Sequence, residues 1–400
     1  MTDASQYPVL AAGGVWAWGP VEWRFIPYVE ELDELVSNVL LVPFSRQRVV
    51  LVRLRSGHLT FPGGTLEPGE HWVSTALREA REEAGLRLRD LHPFGMFLCR
   101  QPQRYREHLP HPEARRVVAW SEAWVDGEPL SLPGAEDVAE VLLVAPDEAA
   151  SLLTADGRPE QAELGLMAAA ERPRLSDEAF FRDNRLLLEH AYLSQSDPYA
   201  QSGKSGGAAG WELARRFTAG AIHRDGTFLD LGCANGMLME SMVEWALHDR
   251  GRELQPYGLD ISEALVRLAR RRLPLWSDRI WVGNAWDWTP PRRFDFVHAL
   301  PELVPDRLRG RWLGRLLSEF LEPGGRLLLR WGDPHPPDPD RRRLRDVLAG
   351  AGFEPDGELV QERPAEPAVR VAWLTKKSPS PLAGEMAPPG AGGGRPPSSA

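Results

Sequence analysis

The spacing of apolar and polar positions along the chain predicts two successive groups of strands and helices. In the first group, apolar runs of strand length are bounded by Pro, Gly or charged turns. These predicted strands span 37–44, 48–54, 95–99, 116–125 and 138–144. A stretch between the second and third strands, 72–84, contains no Pro or Gly and is rich in Ala, Leu, Arg and Glu, which predicts a helix. A short helix at 145–153 ends the group.

In the second group, strands and helices alternate. Apolar strands are predicted to end near residues 230, 260, 285 and 300, and a fifth strand follows the Pro-Gly-Gly turn at 323–325. Helices are predicted at 237–248, 263–273 and 311–321. This alternation predicts a parallel, doubly wound sheet. Between the two groups, 177–193 reads as an amphipathic helix and 197–210 as a Gly/Ser-rich loop.

The helix predicted at 72–84 carries the first candidate chemistry. Glu79, Glu82 and Glu83 are spaced i, i+3 and i+4, so their carboxylates share one helix face. Arg78 lies four residues before Glu82 and can pair with it. Three carboxylates on one face repel each other unless a cation lies between them, and such oxygen ligands suit Mg²⁺ or Mn²⁺. A run such as Arg-Glu-Ala-Arg-Glu-Glu by itself is more typical of a solvated helix.

Glycine and glutamate at fixed offsets around this helix decide between the two interpretations. The pattern is Gly, five residues, Glu, seven residues, then Arg-Glu-apolar-x-Glu-Glu-x-Gly-apolar. The nine matching positions are Gly64, Glu70, Arg78, Glu79, Ala80, Glu82, Glu83, Gly85 and Leu86. The stretch resembles the box of the Nudix hydrolases, and the resemblance covers about 35–157. It implies an α/β/α sandwich with a mixed sheet, and metal-dependent hydrolysis of a nucleoside diphosphate linked to another group.

The resemblance assigns roles residue by residue. Arg78, Glu79, Glu82 and Glu83 are the expected catalytic residues, and Gly63 joins the three glutamates as an expected ligand of Mg²⁺ or Mn²⁺. Gly63 and Gly64 permit a tight loop before the helix.

A later acidic residue often helps to bind metal or acts as a base in this family. The sequence leaves four candidates open, namely Glu122, Glu136, Asp137 and Glu140. Pro102 lies about sixteen residues after the box, where relatives that cleave ADP-ribose carry a Pro. A loop proline between strands is the commoner explanation of such a residue.

A second signature, Phe-Leu-Asp-Leu-Gly-Cys-Ala-Asn-Gly-Met-Leu, spans 228–238. Its turn of small residues between a strand and a helix lets backbone N–H groups approach a ligand closely. Asp260 ends the next strand, where an acid suits two ribose hydroxyls. The region 208–377 resembles the Rossmann-like S-adenosylmethionine-dependent methyltransferases. The cofactor-binding residues that this resemblance implies are Asp230, Gly232, Ala234 and Gly236 for the methionine part, Asp260 for the ribose, and Asn284 and Ala285 for the adenine.

Other interpretations of the second region stay open. Ala234 stands where the usual turn has a Gly, and a nicotinamide-dinucleotide site is the alternative, although the turn lacks Gly-x-Gly-x-x-Gly. His298 and Glu302 lie at the end of the fourth predicted strand. Each could be a base, a substrate contact or a structural residue, so no catalytic base is assigned. Tyr199 and Gln201, in the loop before the signature, are candidate contacts of a cofactor lid. A further alternative is that one of the two domains senses a ligand and is not an enzyme.

Composition limits the class of protein. A net charge of −10 argues against a general nucleic-acid binder, and the expected partners are a nucleotide-type substrate and a small methyl acceptor. Two cysteines, a polar start and the lack of a long apolar run favour a cytoplasmic protein that does not span a membrane. The sequence does not predict an oligomeric state. The predicted divisions are a first domain at 1–170, a helical linker or cofactor lid at 171–210, a second domain at 211–377 and a disordered Pro/Gly/Ser/Ala tail at 378–400.

Overall fold

The first half of the chain forms one mixed sheet with helices on both faces. The computed structural model describes residues 6–16, 19–104, 106–125, 137–204, 206–332, 344–363 and 366–377. The tail predicted at 378–400 lies outside these residues. The strands of the first sheet are β1 (Gly14–Trp16), β2 (Val21–Pro27), β3 (Val36–Ser45), β4 (Arg48–Leu54), β5 (Leu59–Thr60), β6 (Gly63–Thr65), β7 (Leu86–Leu88), β8 (His92–Arg100), β9 (Glu113–Val125) and β10 (Val138–Val144). The helices of this half are α1 (Pro8–Ala12), α2 (Trp72–Ala84), α3 (Pro146–Ala155), α4 (Pro159–Glu171) and α5 (Asp177–Leu193).

The central strand β3 explains why this sheet is covered on both faces. The main strand order is β1-β2-β8-β9-β3-β4-β10, with β3 and β9 parallel and the other pairs antiparallel. Alternate residues of β3 enter different cores. Leu40 and Val42 pack with α3 and α4, whereas Val39 and Leu41 pack with α2. This arrangement is the α/β/α sandwich that the sequence predicts.

Helix α5 packs against both halves of the molecule. Leu187 is buried in the core that α2 covers, and Phe181 packs against the core of the second half. Asp183 of α5 forms a buried ion pair with His92 of β8, with 2.9 Å between Oδ2 and Nδ1. Near the other end of the helix, Glu189 accepts a hydrogen bond of 2.7 Å from Ser262 in the second half. The segment predicted as a linker or lid is therefore a helix shared between two cores.

The second half forms a seven-stranded sheet in the described part of the chain. Its strands are β11 (Gly226–Leu231), β12 (Leu254–Asp260), β13 (Ile280–Val282), β14 (Phe294–Ala299), β15 (Leu321–Gly332), β16 (Gly357–Arg363) and β17 (Glu366–Thr375). Its helices are α6 (Gly207–Arg215), α7 (Met237–Arg250), α8 (Glu263–Arg272), α9 (Asp306–Arg315) and α10 (Leu344–Gly350). The strand order is β13-β12-β11-β14-β15-β17-β16, and β17 runs antiparallel to both of its neighbours.

The sequence predicts most of this second sheet, and the structure differs in three places. Helix α6 begins inside the loop predicted at 197–210. Helix α9 begins at Asp306, five residues before the predicted start, and a π-helical turn, Leu316–Phe320, follows it. The sequence patterns do not predict the antiparallel pair of β16 and β17. The mixed α/β class with two sheets is confirmed, whereas the predicted domain boundaries stay predictions.

The order of the strands along the chain reverses direction at β11, in the middle of the second sheet. β11 lies between β12 on one side and β14 on the other, so the chain order reverses there. Asp230 of β11 is directly opposite His298 of β14 in this parallel pair. Ligands of open α/β sheets bind outside the carboxyl ends of the strands at such a switch point. The fold thus places Asp230 and His298 at the position where a ligand is expected.

Candidate functional sites

In the first half, α2 presents the glutamates of the box around a single arginine. The Arg78 guanidinium makes two hydrogen bonds of 3.0 Å to Glu70, one of 2.8 Å to Glu79 and one of 3.2 Å to Glu82. The helix ends at Gly85, which has the left-handed conformation (φ 63°) expected from the sequence. The structure therefore brings together the box residues that the sequence singles out, with Arg78 at their centre.

The protein environment separates the acids of this group by their pKa values. Hydrogen bonds from Arg78 lower the pKa of Glu70 to about 2, so Glu70 acts as the fixed counter-ion of the arginine. Burial raises the pKa of Glu79 despite its contact with Arg78. Burial, together with the charges of Glu79 and Asp137, raises the pKa of Glu83 to about 7, although the Gly63 amide donates a hydrogen bond of 2.9 Å to its carboxylate.

Two glycines bring the loop before α2 close to these carboxylates. A Cβ atom at Gly64 would lie 1.9 Å from Oε1 of Glu79, and one at Gly63 would lie 2.3 Å from the carbonyl oxygen of Val39. A side chain at either position would therefore displace the glutamate or the neighbouring strand β3. Gly63 and Gly64 are required for the close approach of backbone and carboxylates.

The donor set has the chemistry of a site for a hard divalent cation. Glu79 and Glu83 are raised in pKa by burial, so both carboxylates would gain from a nearby positive charge. Glu82 is about half exposed, with 49% of its side chain accessible. Among the described residues, however, no three His, Cys, Asp or Glu side chains converge on one point in the manner of a formed metal site. The ligand roles of Glu79, Glu82, Glu83 and Gly63 stay predictions.

The structure distinguishes among the four candidates for an additional acid. Glu122 is paired with Arg172, which donates to its carboxylate from Nε at 2.8 Å, and Glu140 is paired with Arg53 at 3.0 Å. Asp137 directly precedes β10, and its charge acts on Glu83. Glu136 lies outside the described residues. Asp137 is thus the described candidate that is near the box.

In the second half, Asp260 organises the small-residue turn after β11. Its carboxylate accepts hydrogen bonds from the backbone amides of Ala234, at 2.8 Å, and Ser262, at 2.9 Å. Ala234 has a positive φ of 48°, and Gly232 and Gly236 both have φ of 78°, so three residues of the turn use the left-handed region. Asp260 thus holds an Ala in a conformation that ordinarily favours Gly.

Burial raises the pKa of the Asp260 carboxyl to about 6. The two backbone hydrogen bonds act in the opposite direction, while the neighbouring acids Asp230 and Glu189 raise the pKa further. A carboxylate oxygen can accept two hydrogen bonds and each Asp260 oxygen accepts one from an amide, so both oxygens can still accept from a ligand. The side chain is therefore oriented by the protein and able to accept from a ligand.

Asp230 has a partner that the sequence does not reveal. Its Oδ1 lies 2.7 Å from Nδ1 of His298, and both side chains are buried. The other ring nitrogen of His298, Nε2, is buried without a hydrogen-bond partner among the described residues. The sequence leaves His298 as one of several interpretations, whereas the structure places it in a buried Asp-His pair at the switch point.

Asn235 joins the turn to the segment before α6. Its side-chain amide donates to the carbonyl of Pro198 at 2.8 Å, and its side-chain oxygen accepts from Ser202. Gln201, a predicted lid residue, lies 3.4 Å from the Asn235 amide, whereas Tyr199 packs beside Trp211. The segment at 198–202 is therefore attached to the turn through a residue that the sequence does not single out.

The predicted adenine contacts form a capped turn after β13. The side chain of Asn284 accepts a hydrogen bond of 3.0 Å from the amide of Trp286, and the carbonyl of Ala285 accepts one of 2.9 Å from the Trp312 indole. Both residues lie at the carboxyl edge of the sheet. Their ligand role stays a prediction.

The comparisons with known proteins concern different parts of the chain. The NUDIX domain family model matches residues 34–165. Among solved structures, a mutant of the Bacillus subtilis pyrophosphohydrolase BsRppH shares 16% identity, with a TM-score of 0.26 over 33% of this chain and 75% of its own. The comparison with curated proteins finds no match.

Two solved methyltransferases are also similar in structure to part of this chain. The Burkholderia thailandensis 1,6-didemethyltoxoflavin-N1-methyltransferase shares 17% identity, with a TM-score of 0.39 over 51% of this chain and 91% of its own. A S-adenosylmethionine-dependent methyltransferase from Aquifex aeolicus shares 17% identity, with a TM-score of 0.33 over 46% of this chain and 96% of its own. No helix among the described residues has the length and apolar character needed to cross a membrane. The match of the NUDIX domain family model to residues 34–165 confirms the resemblance noted for the first half of the chain.

Proposed function

We propose that the first half hydrolyses a phosphoanhydride bond in a nucleoside diphosphate linked to another group, with Mg²⁺ or Mn²⁺. The observation that carries this proposal is the arrangement of Glu79, Glu82 and Glu83 on one face of α2, with Arg78 bound to two of them. Arg78 positions these carboxylates, and Glu70 fixes Arg78 from the opposite side. Because the single positive charge of Arg78 does not neutralise all of these carboxylates, the remaining negative charge on this face would attract a further cation.

Each residue of the box has a distinct task in this proposal. Glu79, Glu82, Glu83 and the loop at Gly63 would hold the cation, and Asp137 is the additional acid that supports Glu83. When bound, the cation neutralises phosphate charge and lowers the pKa of the attacking water. The carboxylates orient that water and accept its proton. Arg78 holds the side chains of Glu79 and Glu82 in position by its hydrogen bonds.

The second half, in the same proposal, binds S-adenosylmethionine and transfers its methyl group to a small molecule. Asp260 would accept hydrogen bonds from the ribose hydroxyls, and the backbone amides of the turn at 232–236 would approach the methionine part. The strand order supports this cofactor over a nicotinamide dinucleotide. Dinucleotide-binding sheets have the strand order 3-2-1-4-5-6. When β11–β17 are counted as strands 1 to 7, the order here is 3-2-1-4-5-7-6, because the antiparallel β17 lies between β15 and β16.

Two measurements on the full-length chain test the proposal. The first is release of phosphate products from ADP-ribose, a nucleotide sugar and a dinucleoside polyphosphate, with Mg²⁺ or with EDTA. We expect hydrolysis of at least one compound with the metal and none with EDTA. The second is calorimetric titration with S-adenosylmethionine and with NADPH. Failure to hydrolyse any compound would contradict the first activity, and failure to bind S-adenosylmethionine would contradict the second.

A further inference from the structure

A cavity of about 640 Å³ lies in the first half, beside the box rather than within it. Its walls come from β1, β2, β3 and β6, from the loop after β8, and from β9. The lining includes Trp16, Asn38, Thr65, Pro102, Arg104 and Arg116. A volume of this size is in the range that holds a nucleotide-sized ligand. The cavity also includes Pro102, which the sequence singles out.

The cavity has a distinctive charge. Its described lining contains two positive side chains, Arg104 and Arg116, and no Asp or Glu. The Arg116 guanidinium lies 5.1 Å from the centre of the Trp16 ring, and among the described residues no carboxylate lies within ion-pair distance of it. Burial lowers the pKa of Arg116, and Glu160 acts on it only through space. A half-buried cation without a counter-ion carries a desolvation cost that a bound anion would relieve.

Strand β6 connects this cavity to the box. The side chain of Thr65 accepts a hydrogen bond of 2.8 Å from Asn38 in the cavity wall, and its carbonyl accepts one of 3.3 Å from Arg78. Gly63 and Gly64 of the same strand touch Glu83 and Glu79. A ligand with a diphosphate at the box can therefore extend past Thr65 into the cavity.

We infer that the cavity binds a second phosphate of the substrate, a phosphate monoester separate from the diphosphate that is hydrolysed, and that Arg116 is its main ligand. This inference rests on the proposed hydrolase function. The diphosphate is assigned to the carboxylates with their cation, so an anion at Arg116 has to be a different group of the same molecule. Arginine suits phosphate because its planar fork donates two parallel hydrogen bonds, and Trp16 supports the guanidinium from one side.

Matched ligand pairs that differ by one phosphate monoester test the inference. The pairs are coenzyme A with dephospho-coenzyme A, and NADPH with NADH. Their affinities for the full-length chain are measured by calorimetry in EDTA, where no metal-dependent turnover occurs. We expect the phosphorylated member of at least one pair to bind about tenfold tighter or more, the scale of one charge-assisted hydrogen bond.

Three variants locate that preference. Arg116→Gln should reduce the affinity ratio to near one, and Arg116→Lys should keep part of it because the charge remains. Arg24→Gln makes the same charge change on the exposed face of β2 and should keep the full ratio. Thermal melts establish that each variant is folded. Equal affinities for both members of both pairs in the unaltered chain, or a ratio that survives Arg116→Gln, would overturn the inference. Hydrolysis with Mg²⁺ is scored separately, so a chain that keeps the ratio but hydrolyses nothing contradicts only the proposed activity.

Discussion

The two candidate sites differ in how exposed their acidic residues are and in what binds them. In the first half, several carboxylates gather around Arg78 on the surface of α2, and Glu82 is about half exposed. In the second half, Asp230 and Asp260 are buried, and His298 or backbone amides already bind them. The first group has an excess of negative charge that a cation would balance. The second has acceptors fixed in place by the protein.

This difference indicates different kinds of ligand. Crowded carboxylates favour a divalent cation, whose own charge then attracts phosphate. Buried, hydrogen-bonded carboxylates accept from hydroxyl or amine groups without needing a metal. The first site is therefore expected to be sensitive to changes of charge, and the second to changes of hydrogen-bond geometry.

The largest expected effect is the loss of hydrolysis when charge is removed from the first site. Glu82→Gln and Glu83→Gln keep the size of the side chain but remove its charge. We expect hydrolysis with Mg²⁺ to fall on the order of a hundredfold or more in each variant, the scale of losing a metal ligand or a general base. The measurement is kcat/KM for a compound that the unaltered chain hydrolyses.

Glu148→Gln provides the control, because Glu148 is an exposed residue in the first turn of α3. Its turnover should stay close to that of the unaltered chain. Near-normal turnover in both Glu82→Gln and Glu83→Gln, with Mg²⁺ bound as before, would remove the basis for calling the first site a metal-dependent one.

Features defined by neighbouring residues could be predicted from the sequence. The helix 72–84 matches α2 end to end, as 177–193 matches α5 and 138–144 matches β10. The shared face of Glu79, Glu82 and Glu83 follows from helix geometry alone. Strand β2 also carries a readable signal, because Val21, Trp23 and Phe25 are buried in alternation, but it precedes the region that resembles the family.

Features defined by tertiary contacts could not be predicted in this way. Asp230 and His298 are 68 residues apart, and only the pairing of β11 with β14 brings them together. Arg116 lacks an ion-pair partner among the described residues because of how distant strands pack around it, which no local pattern reports. The role of α5 in two cores depends on the packing of α2 and α8 on either side of it. Sequence patterns report the apolar face of a helix but not its neighbours.

The second prediction concerns α5, where the two halves meet. Burial by itself would lower the pKa of His92, but hydrogen bonds with Asp183 and Asp90 outweigh it and raise the pKa to about 9. Asp183→Asn removes the buried charge that stabilises protonated His92. We expect the free energy of unfolding to decrease by about 3 kcal/mol at pH 6, as measured by urea denaturation. A chain cut between 170 and 171 loses the same partner, so the first half should fold better when it ends at 194.

The sign of the pH dependence follows from a pKa that is higher in the folded protein than in the unfolded one. The stabilisation by the ion pair is fully present below pH 6.5 and is lost as the pH rises through 9. The difference between the unaltered chain and Asp183→Asn should therefore shrink between pH 6.5 and 9 and be small above pH 9. Glu178→Gln, an exposed change in the first turn of α5, should cost no more than about 1 kcal/mol. Equal stability of Asp183→Asn and the unaltered chain at pH 6 would show that the pair contributes little to the shared interface.

The smallest expected effect is at Asp260, where a substitution can keep the shape of the side chain. Asp260→Asn retains one acceptor oxygen but loses the charge, so S-adenosylmethionine should bind more weakly by about 1.5–3 kcal/mol, the value of a hydrogen bond to a charged group. Calorimetric titration measures this difference. Cys233→Ser is the control within the same turn, because the buried Cys233 thiol is expected to be only a small filling residue. Thermal melts separate a loss of affinity from a collapse of the turn that Asp260 holds.

The pH dependence of cofactor binding tests the same carboxylate without any substitution. Burial raises the pKa of Asp260 to about 6 in the free protein, and the ribose hydroxyls require its ionised form. Affinity should be constant above pH 7 and fall by about tenfold for each unit below pH 6, because protonation then competes with binding. Asp260→Asn has no proton to gain at this position, so its weaker affinity should change little between pH 7 and 5. If the unaltered chain binds S-adenosylmethionine equally well at pH 7 and 5, Asp260 does not bind the ribose, and the second site uses other acceptors.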